Sequence, residues 1–430
     1  MNRIRQILAI AVFALVCGAP LNAQEAAKNK DMFALRDGDV VVFYGDSITE
    51  QRLYTADIEN FLLTRYPGRK VEFINSGVGG DKVSGGWAGP VDMRLARDVF
   101  AYKPTVITIM LGMNDGYYRP WNDGIFSTYA DGCRHIVEQI QKELPQARIT
   151  LLKPSPHDDV TRAPEFTPGY NTTLIRFGDF VAKLAEEKHT QVADLNQPVV
   201  EALTAAKAED DPLSIALIHD RVHPGAGIHW VMAGSVLKAW RADPLVTISI
   251  IHVYKASASV DASANTTITQ LGRSKTEVVW TQTDSALPLP LPPAETDPMA
   301  ALALQGAKFN AQFNQEMLVV QGLAEGNYEL QIDERVVGHW SSVELAKGVN
   351  LASVDTPMLE QSRLVALDTQ QKNEIESIHF SLLADAKDAE KSDTLKKLEV
   401  ALKVAVERQR KDAQPAPHRY LVVRVEKKGG

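Results

Sequence analysis

The sequence predicts an α/β fold, a mostly parallel five-stranded sheet covered on both faces by helices, followed by a β-rich and helical extension. Three observations carry this expectation. Short runs of β-branched and apolar residues alternate with segments of helical periodicity through residues 40–242. Several of these runs end in glycine or polar residues, as strands do where an α/β sheet forms its crevice. After Asp243-Pro244 the pattern changes to alternating residues rich in serine and threonine, and later to charged helical stretches.

The first strand is 40–44, Val-Val-Val-Phe-Tyr, which stops at Gly45-Asp46. Ser47 follows at once and opens a helix to about Arg65, with Leu53, Ile58, Phe61 and Leu62 at helical spacing. Residues 71–74 form the next strand and run into Asn75-Ser76-Gly77-Val78-Gly79-Gly80-Asp81, whose glycines permit a tight loop able to approach a ligand. A third strand, 106–111, ends in Gly112-Met113-Asn114-Asp115-Gly116. A helix over 127–144, a strand over 148–152 and a proline-containing loop over 153–169 come next. A helix over 170–188, a fifth strand over 191–195 and a helix over 198–208 lead to Ile218-His219-Asp220-Arg221-Val222-His223-Pro224, and a helix over 228–240 closes the unit.

The implied organisation is 1–23, 24–243, 244–345 and 346–430: a signal peptide, the α/β unit, a β-rich region with a proline-rich insert, and a helical C-terminal region. Residues 245–283 read as strands and 285–298 as a linker-like insert. Residues 317–320, 328–332 and 336–340 read as a small antiparallel meander with turns at Gly326-Asn327 and Asp333-Glu334. From 357 to 409 the pattern is helical, with Leu395, Leu398, Leu402 and Val406 on one face among lysines and glutamates, and 421–425 reads as a final strand.

Composition narrows the function class. With 430 residues, 45% of them hydrophobic and 23% charged, the chain is globular and long enough for two to three domains. Its net charge of −8 gives no general attraction to nucleic acid. Arg3 and Arg5, an apolar stretch over 7–16 and Leu21-Asn22-Ala23 form a secretory signal pattern, too short to span a bilayer comfortably. The expected location is secreted or periplasmic, with no stable membrane span after cleavage. Lipoprotein anchoring through Cys17 ranks second, because Val16 is not the small residue expected before a lipidated cysteine. Cleavage after Ala23 would leave Cys133 without an intramolecular disulfide partner, and its helical neighbours make it a buried thiol rather than a reactive one.

Ser47 is by position either a helix cap or a nucleophile. Asp220 and His223 favour the nucleophile. A serine hydroxyl needs a base near neutral pH, a histidine can take and return its proton, and a carboxylate can hold the imidazole in the useful tautomer. The spacing Asp-Arg-Val-His lets one tight loop present both side chains. Metal binding is disfavoured, since no further ligand cluster with suitable spacing lies nearby, and no cofactor is expected. Acyl transfer also needs donors for an oxyanion. The backbone amides of Ser47 and Gly80 and the side-chain amide of Asn114 are candidates, against the ordinary explanations of a turn glycine and an Asx cap.

Gly45-Asp46-Ser47-Ile48, Asn75-x-Gly77-x-x-Gly80-Asp81, Gly112-Met113-Asn114-Asp115 and Asp220-x-x-His223 together resemble the four blocks of the SGNH (GDSL-type) hydrolases, in order, along residues 38–242. Ile48 stands where the family nickname has leucine. The resemblance implies a flavodoxin-like three-layer α/β/α fold and metal-free ester hydrolysis. It implies Ser47 as nucleophile, His223 as base, Asp220 as orienting acid, and Ser47, Gly80 and Asn114 as the oxyanion hole. Asp46 and Asp115 match motif positions and are expected to support the loops. Tyr66-Pro67, the Gly77–Asp81 run, Leu111-Gly112-Met113-Asn114-Asp115-Gly116 and Gly348-Val349-Asn350-Leu351-Ala352 resemble a secreted bacterial branch with a long C-terminal extension.

The expected function is hydrolysis of short acyl esters, foremost acetyl, on a small-molecule or polysaccharide carbohydrate ester. Trp87, Tyr117, Tyr118 and Trp121 follow the glycine and asparagine loops and are candidate substrate contacts, since aromatic faces suit sugar rings. Two alternatives are a general short-chain carboxylesterase or lysophospholipase-like enzyme, and a non-catalytic glycan-binding or scaffold protein. Oligomeric state is not readable from the sequence.

Overall fold

The computed structural model describes residues 32–383 and 389–425. The signal segment 1–23, Cys17 included, lies outside the described residues. Strands β1 (Val40–Gly45), β2 (Glu72–Gly77), β5 (Val106–Met110), β6 (Arg148–Lys153) and β7 (Gln191–Asp194) form a parallel sheet in the order β2-β1-β5-β6-β7. β1 and β5 are buried along nearly their whole length, which is why their sequences are continuous apolar runs rather than alternating ones. β3 (Gly85–Gly86) and β4 (Gly89–Pro90) make a miniature antiparallel hairpin of their own.

The helices that pack around the sheet include α1 (Ser47–Glu50), α2 (Leu53–Arg65), α3 (Val91–Asp98), α4 (Asp123–Glu143), α5 (Asn171–Glu187), α6 (Gln197–Glu209) and α7 (Ala226–Ala239). α2 packs on α7 and α4 on α5, so helices cover the sheet in the expected three-layer α/β/α arrangement. The strand order reverses between β1 and β5, and a crevice opens beyond strand ends at such a switch point. Gly45 pairs in register with Gly77 of β2 and Met110 of β5. The loops after all three strands therefore leave the sheet at one level.

The single helix expected over 47–65 is broken. Arg52 takes a left-handed backbone, φ 61°, between α1 and α2. The Thr49 carbonyl, which a continuous helix would give to Leu53, instead accepts the Asn75 side-chain amide at 2.7 Å. The Tyr54 amide donates to Nδ1 of buried His229, 3.2 Å away. Burial lowers the His229 pKa to about 3, so the ring is neutral and can accept.

The extension is built from two more sheets. One has the order β15-β12-β8-β9, from β8 (Leu245–Val253), β9 (Ala258–Ala264), β12 (Gln315–Gln321) and β15 (Val349–Asn350). The other runs β10-β11-β16-β13-β14, from β10 (Thr266–Arg273), β11 (Glu277–Asp284), β13 (Asn327–Ile332), β14 (Arg335–Ser341) and β16 (Pro417–Val425). The expected meander is corrected here. β13 and β14 form a hairpin, but β12 leaves it to pair in parallel with β8. Alternating burial gives a strand its face but not its partner, and β12 is drawn to β8 by inward Leu318 and Val320 joining Ile251 and Val253 in the second core.

The proline-rich stretch is not a linker. Leu287 and Leu289 are fully buried, the Leu287 amide donates to the Thr64 carbonyl at the end of α2, and the Leu289 amide donates to Asn314. It leads into α8 (Pro298–Gly306), capped by Asp297 and packed on α6 and α7. Two long helices, α9 (Pro357–Leu383) and α10 (Ala389–Asp412), then form a hairpin against α2 and β2 before β16 closes its sheet. No described helix is long and apolar enough to cross a membrane. Leu289→Ala should lower unfolding free energy by about 2–5 kcal/mol, as for other fully buried leucines. Chemical denaturation reads this directly, and a change under about 0.5 kcal/mol, typical of exposed positions, would mean the segment does behave as a linker.

Candidate active site

The crevice at the switch point holds Ser47, Asp220 and His223. Ser47 opens α1, and the Asp46 side chain accepts the Ile48 amide at 3.0 Å, so Asp46 caps the turn while Ser47 is left to project. The Ser47 Oγ lies 2.8 Å from His223 Nε2, and His223 Nδ1 lies 2.6 Å from Asp220 Oδ2. The other Asp220 oxygen accepts the amides of Val222 and His223, at 2.9 and 2.8 Å. Partial burial would raise the Asp220 pKa, but these bonds from His223 and Val222 outweigh it and hold the carboxyl at about 2. A carboxylate ionised across the whole working range keeps the proton on Nδ1. That leaves the Nε2 lone pair facing the serine hydroxyl.

Arg221 shapes the loop between the two. Its backbone is left-handed, φ 70°, and its guanidinium donates to the carbonyls of Asp158 and Ala163. The Asp158 amide returns a bond to the Arg221 carbonyl at 2.9 Å. The Asp-x-x-His loop is thus tied to the 153–169 loop through a residue that the spacing argument treated as filler.

The glycine loop meets α1 closely. A β-carbon on Gly77 would collide with the backbone nitrogen of Glu50, and one on Gly79 would come 2.9 Å from a Glu50 carboxylate oxygen and 4.0 Å from the Ser47 β-carbon. Gly80 has φ +73°. Across the crevice Asn114 donates from Nδ2 to the Asp81 carbonyl at 3.1 Å, and its Oδ1 accepts the Tyr118 hydroxyl at 3.0 Å. These two bonds fix which end of the amide points toward the glycine loop, and Nδ2 keeps a second hydrogen for another acceptor. Burial first, then the nearby Asp46 and Asp220 charges, push the Tyr118 phenol up to about 12.

Beneath the crevice sit further motif carboxyls. Asp115 is buried and accepts the Val83 amide at 3.0 Å, holding the loop that follows Gly80. Asp81 pairs with Arg94 at 3.2 Å, and Arg94 with Asp98 at 2.9 Å, all fully buried. Burial first, with neighbouring acids adding to it, outweighs the bonds from the Ile48 and Val83 amides and raises Asp46 and Asp115 to about 7 each. Among the described residues no group of three or more His, Cys, Asp or Glu side chains is placed to hold a metal ion. Cys133 packs against the core on α4, and burial pushes its thiol pKa upward.

The aromatic candidates divide. Trp87, at the tip of the β3–β4 hairpin, is 80% exposed while its indole N–H donates to the Gly79 carbonyl at 2.8 Å. Tyr117 is also exposed and lies against Lys82, and Tyr118 is engaged with Asn114. The half-buried Trp121 ring packs on Phe126 and Phe177, under the Arg176 guanidinium, with its N–H on Asp123. It belongs to the α4–α5 packing.

Fold and site together define a serine ester hydrolase. Residues 43–231 match the family model of GDSL-like lipases and acylhydrolases, so the α/β unit carries an SGNH-type hydrolase domain. It is 24% identical over 221 residues to an acetylxylan esterase of Geobacillus stearothermophilus, across 47% of this chain and 93% of the relative. A solved gut microbial diltiazem-metabolizing enzyme, 24% identical, superposes with a TM-score of 0.80 over 92% of this chain and 100% of its own. That fold therefore includes the extension. The solved acetylxylan esterase from Geobacillus stearothermophilus is 25% identical, with a TM-score of 0.39 over 48% of this chain and 96% of its own.

The raised acids set a pH dependence. Unfolded aspartates titrate near about 4. Between that value and about 7 the native state holds protons on Asp46 and Asp115 that the unfolded chain has released. Their contribution to stability is therefore full below the unfolded value, falls as pH rises, and levels off above about 7. Asp115→Asn removes one of these titrations, so its melting temperature relative to wild type should climb from pH 5 to pH 8. An offset constant across that range would show that Asp115 ionises alike in both states.

Proposed function

We propose that the protein removes short acyl groups, foremost acetyl, from carbohydrate through an acyl-enzyme on Ser47. The observation that carries this reading is the continuous chain Ser47–His223–Asp220, at 2.8 and 2.6 Å. In this mechanism His223 Nε2 takes the hydroxyl proton as Ser47 Oγ attacks the ester carbonyl. Asp220 stabilises the imidazolium. The developing oxyanion accepts from the Ser47 and Gly80 amides and from Asn114 Nδ2. His223 then returns the proton to the leaving alcohol, and a water activated by the same imidazole releases the acid.

Support for a carbohydrate ester comes from Trp87, an exposed ring hydrogen-bonded to the Gly79 carbonyl of the loop beside Ser47, and from the acetylxylan esterase relative. The side chains of His223 and Asp220 are 35% and 39% exposed, an open crevice suited to a polymer-borne ester. Export directed by residues 1–23 belongs to the same proposal. The second reading, a general short-chain carboxylesterase or lysophospholipase-like enzyme, uses the same chemistry with a different leaving group.

Ser47→Ala should lower kcat on an aryl acetate by about 10⁴-fold or more. Retention of wild-type rate in that variant would remove Ser47 as nucleophile. Trp87→Ala should raise KM for acetylated oligosaccharides severalfold and leave aryl acetate kinetics nearly unchanged. Equal losses on both would assign Trp87 to loop support, and a strong preference for medium-chain esters over acetylated sugars would favour the second reading.

A further inference from the structure

β2 is an edge strand, with β1 on one side only. Alternate residues of a parallel strand direct their N–H and C=O to the same side, so Val71, Phe73 and Asn75 present theirs outward, where an edge is normally vulnerable to pairing. The α9–α10 hairpin meets each with a side chain. Arg410 donates to the Val71 carbonyl at 3.4 Å, Lys372 to the Phe73 carbonyl at 3.2 Å, and Glu376 accepts the Asn75 amide at 3.0 Å.

The last contact reaches the catalytic loops. Glu376 also pairs with Arg52 at 3.1 Å and with Lys372 at 3.4 Å, and Lys372 is held by Glu59 of α2 at 3.1 Å. Burial alone would depress the Lys372 ammonium, but Glu376 and Glu59 outweigh it and raise its pKa, so the cation persists. Arg52 is the left-handed residue that ends the Ser47 turn. Asn75 begins the glycine loop, and its side chain accepts the Gly77 amide at 3.0 Å while donating to the Thr49 carbonyl at 2.7 Å. One carboxylate from the extension thus holds the Arg52 side chain behind the nucleophile and the Asn75 backbone behind the oxyanion loop.

We propose that Glu376 is a positioning residue for ester hydrolysis, so that the C-terminal hairpin sets the distance between Ser47 and the Gly79-Gly80 loop. This inference rests on the reading of Ser47 as nucleophile. It concerns transition-state geometry more than substrate affinity, since Glu376 lies behind the loops.

The test uses the full chain and an aryl acetate, with kcat, KM and melting temperature measured for Glu376→Ala, Glu376→Gln, Arg52→Met, Arg408→Ala and Ser47→Ala. Glu376→Ala should lower kcat by about 10- to 100-fold with KM within about threefold. Glu376→Gln keeps an acceptor for the Asn75 amide and should recover most of that loss. Arg408→Ala removes the 2.6 Å pair with Asp368 inside the hairpin and should cost thermal stability without changing kcat. If Glu376→Ala does not fold, Arg52→Met decides, with a severalfold fall in kcat at constant KM expected. Glu376→Ala within twofold of wild type, or, where it does not fold, Arg52→Met within twofold, would overturn the inference. So would a loss in Arg408→Ala matching that in Glu376→Ala. Either outcome leaves the nucleophile reading standing if Ser47→Ala is inactive, whereas an active Ser47→Ala would overturn both.

Discussion

The buried amide of Asn75 is the interaction on which the crevice depends. Its nitrogen serves the Thr49 carbonyl and the Thr55 hydroxyl, its oxygen serves the Gly77 amide, and its backbone N–H is taken by Glu376. A side chain satisfied this fully is rigid, because any rotation strands a buried polar group at a cost of about 1–3 kcal/mol. It joins the end of β2 to the turn carrying Ser47. It meets the chain at the break after Glu50, where the Thr49 carbonyl accepts the Arg52 amide and the Asn75 side chain rather than the Leu53 amide. The collision that any side chain at Gly77 would make with Glu50 is the steric counterpart of the same close approach.

Much of this was legible in the sequence because the relevant forces are local. β1 and β5 at the middle of the parallel sheet declare themselves by nearly uninterrupted apolar runs, and the loops after β1, β2 and β5 by glycine and asparagine. Asp220 and His223 stand three residues apart, so one turn must present both. What the sequence hid depends on distant partners. Glu376 meets Asn75 across 301 positions, and nothing in a charged helical stretch distinguishes that glutamate from its solvated neighbours. The packing of Trp121 on Phe177 was equally hidden, because proximity along the chain to Asn114 does not fix where a ring packs and Phe177 comes from another helix. The 285–298 segment has the composition of a linker, yet two leucines between its prolines find α2 and Asn314.

The electrostatics of the site follow from the same division between surface and interior. Asp220, partly exposed and bonded by its own loop, stays ionised. Asp46 and Asp115, one residue from the candidate nucleophile and oxyanion donor, are buried and hold their protons far longer. Similar side chains thus serve one as a counter-ion and the others as loop fasteners, and the environment alone assigns the parts.

The position of β16 has a consequence for how the chain reaches this state. The last strand does not sit at an edge: it lies between β11 and β13 at the centre of its sheet, with Tyr420 stacked on Trp280 and Val422 buried. During synthesis from the N-terminus, the residues of the α/β unit are all present once residue 242 has emerged, whereas that second sheet stays split in two halves until residues 417–425 have been made. The helical hairpin that grips β2 lies directly before that strand in the chain. The extension is therefore completed only once β16 has emerged, and a chain cut before residue 417 keeps the residues of the hydrolase unit but lacks the strand that anchors the far end of its clamp.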